Sequence, residues 1–410
     1  MKIAIITSGF LPVPATKGGA VENIVENFII ENEIQRKVVF DIFSIDNDEA
    51  KTTAKKYKYS NFHFIKPNKA VKIIDKIIYW FCKNILKKEK TMSYRYIVQR
   101  LYFLRRTSKI LKKENYDKII LENHSTLFLA LKWNKNYLKY KDRYYYHIHN
   151  EMKSTYGCET IMKNTKNIMC VSNYIKKHVE NFLKLSNSKN VSKLTNCINI
   201  DEFNNINQEE KNDLREKYNI YKDEKVLIFA GRLTREKGIK ELLLAIKEIN
   251  QVSNFKLLVV GSFFFDTEVK NDFDKELQSI LTDIKDKVIF TGYIRHEEIS
   301  KVYAISDIAV LPSLWDDPAP LTIIESMASG LPIITTDSGG IPEYAKNGCA
   351  FILKRDENLV QNLSIKIREL LNNDDERRKM SNISKKNAEE LNLNNFYYDL
   401  LKNMDINANK

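Results

Sequence analysis

The segment Leu311-Pro-Ser-Leu-Trp-Asp-Asp-Pro-Ala-Pro-Leu-Thr-Ile-Ile-Glu-Ser-Met-Ala-Ser-Gly-Leu-Pro332 decides the fold. The apolar run Ile308–Leu311 ends in a polar, proline-rich loop. A helical pattern begins near Leu321 and stops at Gly330, and a second apolar run follows at Ile333. This is a strand–loop–helix–strand unit, the repeating element of a parallel sheet covered by helices. It carries two acids, Asp317 in the loop and Glu325 on the helix, with seven residues between them. Both belong to the carboxyl edge of the sheet, where open α/β sheets bind ligands.

The same alternation extends in both directions. Strands are expected at 2–7, 38–44, 61–65, 117–121, 144–149 and 168–171, with 194–200 leading out of this half. Long helices are expected at 69–88 and 93–113, and a shorter one at 173–182. Residues 199–212 are polar and aperiodic, the best linker. Beyond them strands at 225–229, 256–260, 288–291, 308–311, 333–335 and 350–353 alternate with helices. The expected organisation is α/β: a doubly wound domain over 1–200, a second over 201–392, and a C-terminal helix, 393–407, packing back on the first. Two such domains are expected to face a cleft.

Composition narrows the function classes. The chain has 410 residues, too many for one ordinary core. Its five cysteines are odd in number, scattered and without a CxxC pair, which argues against a disulfide framework or a zinc site. The N-terminal apolar run is too short for a signal peptide, and no run reaches the ~18 residues of a membrane span. A cytoplasmic protein is expected. Residues 66–113 hold fifteen Lys or Arg against two acids, an excess equal to the +13 formal charge of the whole chain. Basicity confined to one helical segment, with no nucleic-acid reading motif, disfavours nucleic acid as a partner.

Within that segment Ile73, Ile74, Ile77, Trp80 and Phe81 form one helical stripe among lysines, and 93–113 adds Ile97, Leu101 and Leu104. Such a helix suits contact with an anionic membrane or lipid-linked acceptor. An equally good reading is a helical pair whose stripe is domain core.

Four further loops carry chemistry. Phe229-Ala-Gly231-Arg232-Leu-Thr-Arg-Glu-Lys237-Gly238 joins a strand to a helix, with Arg232 and Lys237 near a helix N-terminus that attracts anions. A diphosphate fits there; so does a solvated basic loop with Arg235 and Glu236 paired. Gly18-Gly19, between the first strand and first helix, allow close approach of a phosphate or simply a turn. Asn123-His124 and His149-Asn150-Glu151 end strands. His149 is read as facing a ligand, and His147 as facing the opposite way and packing. Asp46-Asn47-Asp48 is read as a solvated loop, and Glu22, Glu26 and Glu31 as the wet face of the first helix.

Together these loops resemble the retaining glycosyltransferases of family 4, with polysaccharide-biosynthesis members and spore-coat SA-like proteins as similar kin. The likeness runs along nearly the whole chain and is strongest over 229–351. It implies the GT-B fold, two Rossmann-like domains, and a UDP- or GDP-sugar donor with no metal or other cofactor. By the same resemblance Arg232 and Lys237 hold the diphosphate, Glu325 the ribose, and Asp317 and His124 contact the donor sugar. Gly18, Gly19, Gly231, Gly261, Tyr293, Ile294, Leu321 and Thr322 complete the donor site. Ser172 and 196–203 match a serine after a first-domain strand and the interdomain segment. The family more often has glutamate at 317 and glycine at 318 and 320. With prolines there, backbone N–H donors are left to Leu321 and Thr322, and Pro320 suits the first helical position. The implied activity is hexosyl transfer to a glycan or lipid-linked saccharide, with a non-catalytic nucleotide-sugar-binding or coat-structural protein as the alternative.

Overall fold

The computed structural model describes residues 1–86, 96–185, 189–251, 254–261 and 272–407. The described chain divides into two units, 1–195 with 396–410 and 196–395.

Unit 1 holds strands β1 (Lys2–Ile6), β2 (Val39–Ile45), β3 (Ser60–Ile65), β4 (Lys118–Glu122), β5 (Tyr144–Ile148), β6 (Asn167–Cys170) and β7 (Val191–Lys193). They form one sheet in the order β3-β2-β1-β4-β5-β6-β7, with every pairing parallel. Ile3 to Ile6, Ile119 to Leu121 and Tyr144 to Ile148 are buried without alternation, as a sheet covered on both faces requires. Its first four helices are α1 (Ala20–Gln35), α2 (Asp48–Ala54), α3 (Lys69–Asn84) and α4 (Ile97–Lys113). The expected helix starts and ends at 87–88 and 93–95 lie outside the described residues.

Unit 2 holds β8 (Lys225–Ala230), β9 (Phe255–Val260), β10 (Val288–Gly292), β11 (Ile308–Leu311), β12 (Ile333–Thr336) and β13 (Ala350–Leu353), ordered β10-β9-β8-β11-β12-β13. Two apolar layers cover this sheet. Ile228, Leu258, Ala309 and Ile333 join one, and Leu227, Leu257, Ile308 and Ile334 join the other, as the pleat dictates.

The strand orders locate the ligand edges. In unit 1 the sheet grows outward in opposite senses from β1 and β4; in unit 2 it does so from β8 and β11. Such a switch point opens a crevice at the carboxyl ends of the two strands. The 393–407 segment begins with the helix Leu393–Asn403, whose Tyr397 Oη donates to Asn32 Oδ1 on α1 at 2.6 Å. Phe396 stacks on Phe28, and Tyr145 Oη of β5 donates to the Met404 carbonyl.

Candidate active site

The unit 2 crevice is built by backbone before side chains. Where β8 and β9 end side by side, a Cβ on Gly261 would stand 1.9 Å from the Gly231 carbonyl oxygen, and Gly261 has φ +141°, so only glycine fits. The chain then turns through Arg232, which is exposed, into a short 3-10 turn, Arg235–Lys237, before the helix Ile239–Glu248. The Glu236 carbonyl accepts the N–H groups of Leu314 and Trp315, at 2.9 and 3.1 Å. The basic turn after β8 and the acidic loop after β11 are thereby tied together.

Those ties bring the Lys237 ammonium to 2.5 Å from Asp317 Oδ2. Both side chains line a small cleft with Ser313, Pro320 and Thr322. Arg235 pairs with Glu276 instead of with its neighbour Glu236. Pro320 is the residue before the helix Leu321–Ala328, one position earlier than expected. The first N–H groups of a helix have no intrahelical acceptor, which leaves those of Leu321 and Thr322 as donors, and Thr322 lines the cleft. Glu325, one turn further on, is 6% exposed and accepts the Tyr303 hydroxyl at 3.0 Å. Tyr293 is exposed and Ile294 packs against the unit 2 core, while 262–271, which follow Gly261, lie outside the described residues.

The acidic loop has supports that the sequence reading missed. After β12 the Gly340 N–H donates to the Asp317 carbonyl and the Gly339 N–H to Asp316 Oδ1, at 2.8 and 3.0 Å. Arg355 bridges Asp316 and Asp337. The signal was available: Ser338-Gly-Gly follows an apolar run, as Gly18-Gly19 does.

In unit 1, Gly19 has φ +108° and caps α1, and a Cβ there would meet Glu22 Oε2 at 2.4 Å. The expectation that Glu22, Glu26 and Glu31 form a wet face is overturned. Glu22 is buried, accepts the Ser8 hydroxyl at 2.9 Å, and has its carboxyl pushed up by that burial. Glu26 accepts the Ala15 N–H and the Tyr57 hydroxyl, and Glu31 is buried. The loop ahead of α1 folds over its first turns and needs acceptors there. Asp46-Asn47-Asp48 is likewise no free loop: Asn47 caps α2, and Asp46 and Asp48 both pair with Lys51. Ser172 is the N-cap of the helix Asn173–Phe182. In unit 2 the Asn196 N–H donates to the Tyr344 hydroxyl.

His124 follows β4 and lines a cavity of about 250 Å³ with Asn123, Tyr146, Asn150 and Tyr156. Burial, then the Arg100 charge, draws its imidazole down to about 4, so it is neutral at neutral pH. His149 is drawn down to about 4, chiefly by burial. The reading of His147 as turned away from His149 is corrected. Residues two apart on a strand share a face, and Nδ1 of His147 and Nε2 of His149 lie 3.1 and 3.3 Å from Glu122 Oε2. Burial alone would raise the Glu122 carboxyl, but the two imidazoles hold it down to about 2.

On α3 the apolar stripe is not core. Val71, Asp75 and Cys82 face inward, while Ile73, Ile77 and Trp80 are 56%, 60% and 57% exposed. On α4, Leu104 is buried, whereas Ile97 and Leu101 stay exposed. Among the described residues no helix is long and apolar enough to cross a membrane.

Comparison with known proteins fits this geometry. Residues 210–387 match the family model described as Glycosyl transferases group 1. That stretch is similar to a group 1 glycosyltransferase domain. It runs from just before β8 to beyond β13 and contains the whole Lys237–Asp317 cleft. The full chain is 24% identical over 395 residues to spore coat protein SA of Bacillus subtilis (strain 168), covering 95% of each. It is 23% identical to the putative glycosyltransferase YtcC of the same organism, covering 85% of this chain and 77% of that one. Its fold matches the Anabaena protein HepE, solved in complex with UDP, with a TM-score of 0.73 at 15% identity, over 99% of this chain and 100% of that one. The two units, each a parallel Rossmann-like sheet flanked by helices, are the GT-B architecture.

Proposed function

We propose that this protein transfers a sugar from a UDP- or GDP-sugar to a glycan or lipid-linked saccharide in surface polysaccharide synthesis. Anomeric configuration is retained and no metal takes part in the transfer. The placement of Arg232, Lys237 and Asp317 at the carboxyl ends of β8 and β11 carries this reading.

The residues divide the work as follows. Arg232, Lys237 and the Leu321 and Thr322 N–H groups hold the diphosphate and take up its charge as it leaves the anomeric carbon. Charge is thus met by preorganised donors instead of a divalent cation. Glu325 accepts the ribose hydroxyls, and Tyr303 fixes the carboxylate for that task. Gly231, Gly261, Tyr293 and Ile294 frame the base. Asp317 and neutral His124 contact the donor sugar, and Gly18 and Gly19 cover the diphosphate. The acceptor hydroxyl attacks on the face the diphosphate leaves, and a phosphate oxygen takes its proton. No protein nucleophile is needed.

The exposed apolar stripe of α3, flanked by lysines, supports peripheral contact with an anionic membrane on its cytoplasmic side. The Lys237–Asp317 pair and the likeness to a spore coat protein favour one alternative, a nucleotide-sugar-binding coat protein without turnover. A thermal-shift panel of nucleotide sugars followed by donor-hydrolysis assays separates the two. Arg232→Ala should cut turnover by ~10²–10³-fold; unchanged turnover would refute the mechanism, and binding without any hydrolysis or transfer would favour the alternative.

A further inference from the structure

Glu122 ends β4, His147 lies beside it on β5, and His149 follows two residues on. One ligand atom from each converges on a single point inside unit 1. His147 Nδ1 lies 3.1 Å from Glu122 Oε2, His149 Nε2 lies 3.3 Å from the same oxygen, and the two nitrogens are 3.2 Å apart. All three side chains are buried, Glu122 and His147 completely.

Hydrogen bonds alone close this triangle poorly. Both imidazoles can donate to Oε2, which crowds two N–H groups against one oxygen. Glu122 Oε1 is then left buried without a hydrogen-bond partner among the described residues. Such an orphaned carboxylate oxygen is destabilising unless another group meets it. A cation does so. Zinc bonds of ~2.0–2.1 Å at tetrahedral angles set ligand atoms about 3.3–3.4 Å apart. The observed triangle is only slightly tighter, and two imidazole nitrogens with one carboxylate are an ordinary zinc donor set. Oε1 of the same carboxylate is the donor left for the fourth position.

The surroundings decide between structural and reactive metal. The same three donors serve iron oxygenases, which need open positions for their substrates. Here the rings of Phe28 and Phe396 stand 5.9 and 6.4 Å from the His147 ring, and His149 is only 8% exposed. Closed coordination belongs to a structural ion, which is taken up as the chain folds and needs no channel.

We propose that Glu122, His147 and His149 bind a structural zinc ion in unit 1. The ion ties the end of β4 to the end of β5, from which Asn123, His124 and Asn150 reach the neighbouring cavity. It takes no step in the sugar transfer proposed above.

The test uses the full chain without a metal-binding tag. Elemental analysis of the wild type should find about one zinc per chain, as the single triangle requires. Protein stripped with a chelator should regain its melting temperature on addition of ZnCl2 and should ignore MgCl2. X-ray absorption at the zinc edge should show nitrogen and oxygen neighbours at ~2.0–2.2 Å and no sulfur. Glu122→Gln and His149→Gln should each weaken zinc binding by more than the roughly 10–100-fold that loss of an outer-shell partner causes. His178→Gln, on a separate helix, should keep it. The proposal is overturned by a wild type that neither carries nor binds zinc, by sulfur neighbours, which would move the ion to a cysteine, or by undiminished binding in the Glu122 and His149 variants. The first two results are read on the wild type, so they stand even if a variant fails to fold.

Discussion

Lys237 and Asp317, eighty residues apart in sequence, join in a 2.5 Å ion pair at the point where unit 2 reverses its strand order. If Lys237 holds the diphosphate as proposed, diphosphate and carboxylate compete for one ammonium. Asp317→Asn should free Lys237 and tighten UDP binding by roughly threefold to tenfold, the scale of a partly exposed pair. Turnover should fall, because the sugar loses the acidic contact proposed for Asp317. Calorimetric UDP titration beside steady-state kinetics checks both halves, and weaker UDP binding in the variant would contradict this account.

Glu325 accepts the Tyr303 hydroxyl with one carboxylate oxygen, in a helix that begins at the Lys237–Asp317 cleft. If it binds ribose hydroxyls, the wild type should prefer UDP to 2′-deoxy-UDP by about tenfold or more, as expected for a bond to a charged acceptor. Glu325→Gln should erase most of that preference by weakening UDP alone. Equal loss for both nucleotides would instead mean that the residue only supports the fold.

The outward residues of α3 can be tested apart from stability. Asp75 accepts the N–H groups of Val98 and Gln99 at 2.8 and 2.9 Å, anchoring α3 to α4 by its inner side. Ile77→Glu and Trp80→Glu should therefore leave the melting temperature nearly unchanged, since surface substitutions stay within about 0.5 kcal/mol. They should abolish sedimentation with anionic liposomes. In the wild type that sedimentation should weaken with salt; binding insensitive to both substitutions would remove α3 from the membrane contact.

Acid should destabilise unit 1 early. His124 and His149 have folded values near 4, below their ordinary 6.5, so the unfolded chain takes up protons that the folded chain refuses. Their contribution is complete above about pH 6.5 and is lost as pH falls toward 4, on the order of 1–3 kcal/mol each. Arg100 faces His124, and His147 and Glu122 face His149. Melting curves between pH 7.5 and about 4.5 should show a steep decline, flattened in His149→Gln. A flat wild-type profile would mean that neither histidine is held neutral by the fold.

The strands were legible because parallel sheets bury both faces, so β1, β8 and β11 appear as unbroken apolar runs. The cleft was legible in part: Lys237 and Asp317 each follow a strand, and the switch point brings them together. The anchors of the acidic loop went unread, although Gly339 and Gly340 repeat the glycine signal seen at Gly18 and Gly19. The stripe on α3 could not be assigned from sequence, because an exposed ridge and a buried one share the same period. Arg100 was hidden for another reason: among fifteen cations in one basic segment, nothing local marks the one that the fold encloses. His147 was misread by a slip in strand geometry that the pleat itself corrects.

Tyr397 clasping Asn32 has a consequence for how the protein is made. Because unit 1 closes with residues from 396 onward, it encircles unit 2 in sequence, and the polypeptide passes between the two units twice. During synthesis the Phe28 and Asn32 side of α1 waits uncovered until the final helix leaves the ribosome. Truncation before residue 396 would thus wound the N-terminal half, and an excised 196–395 is the piece better suited to independent expression.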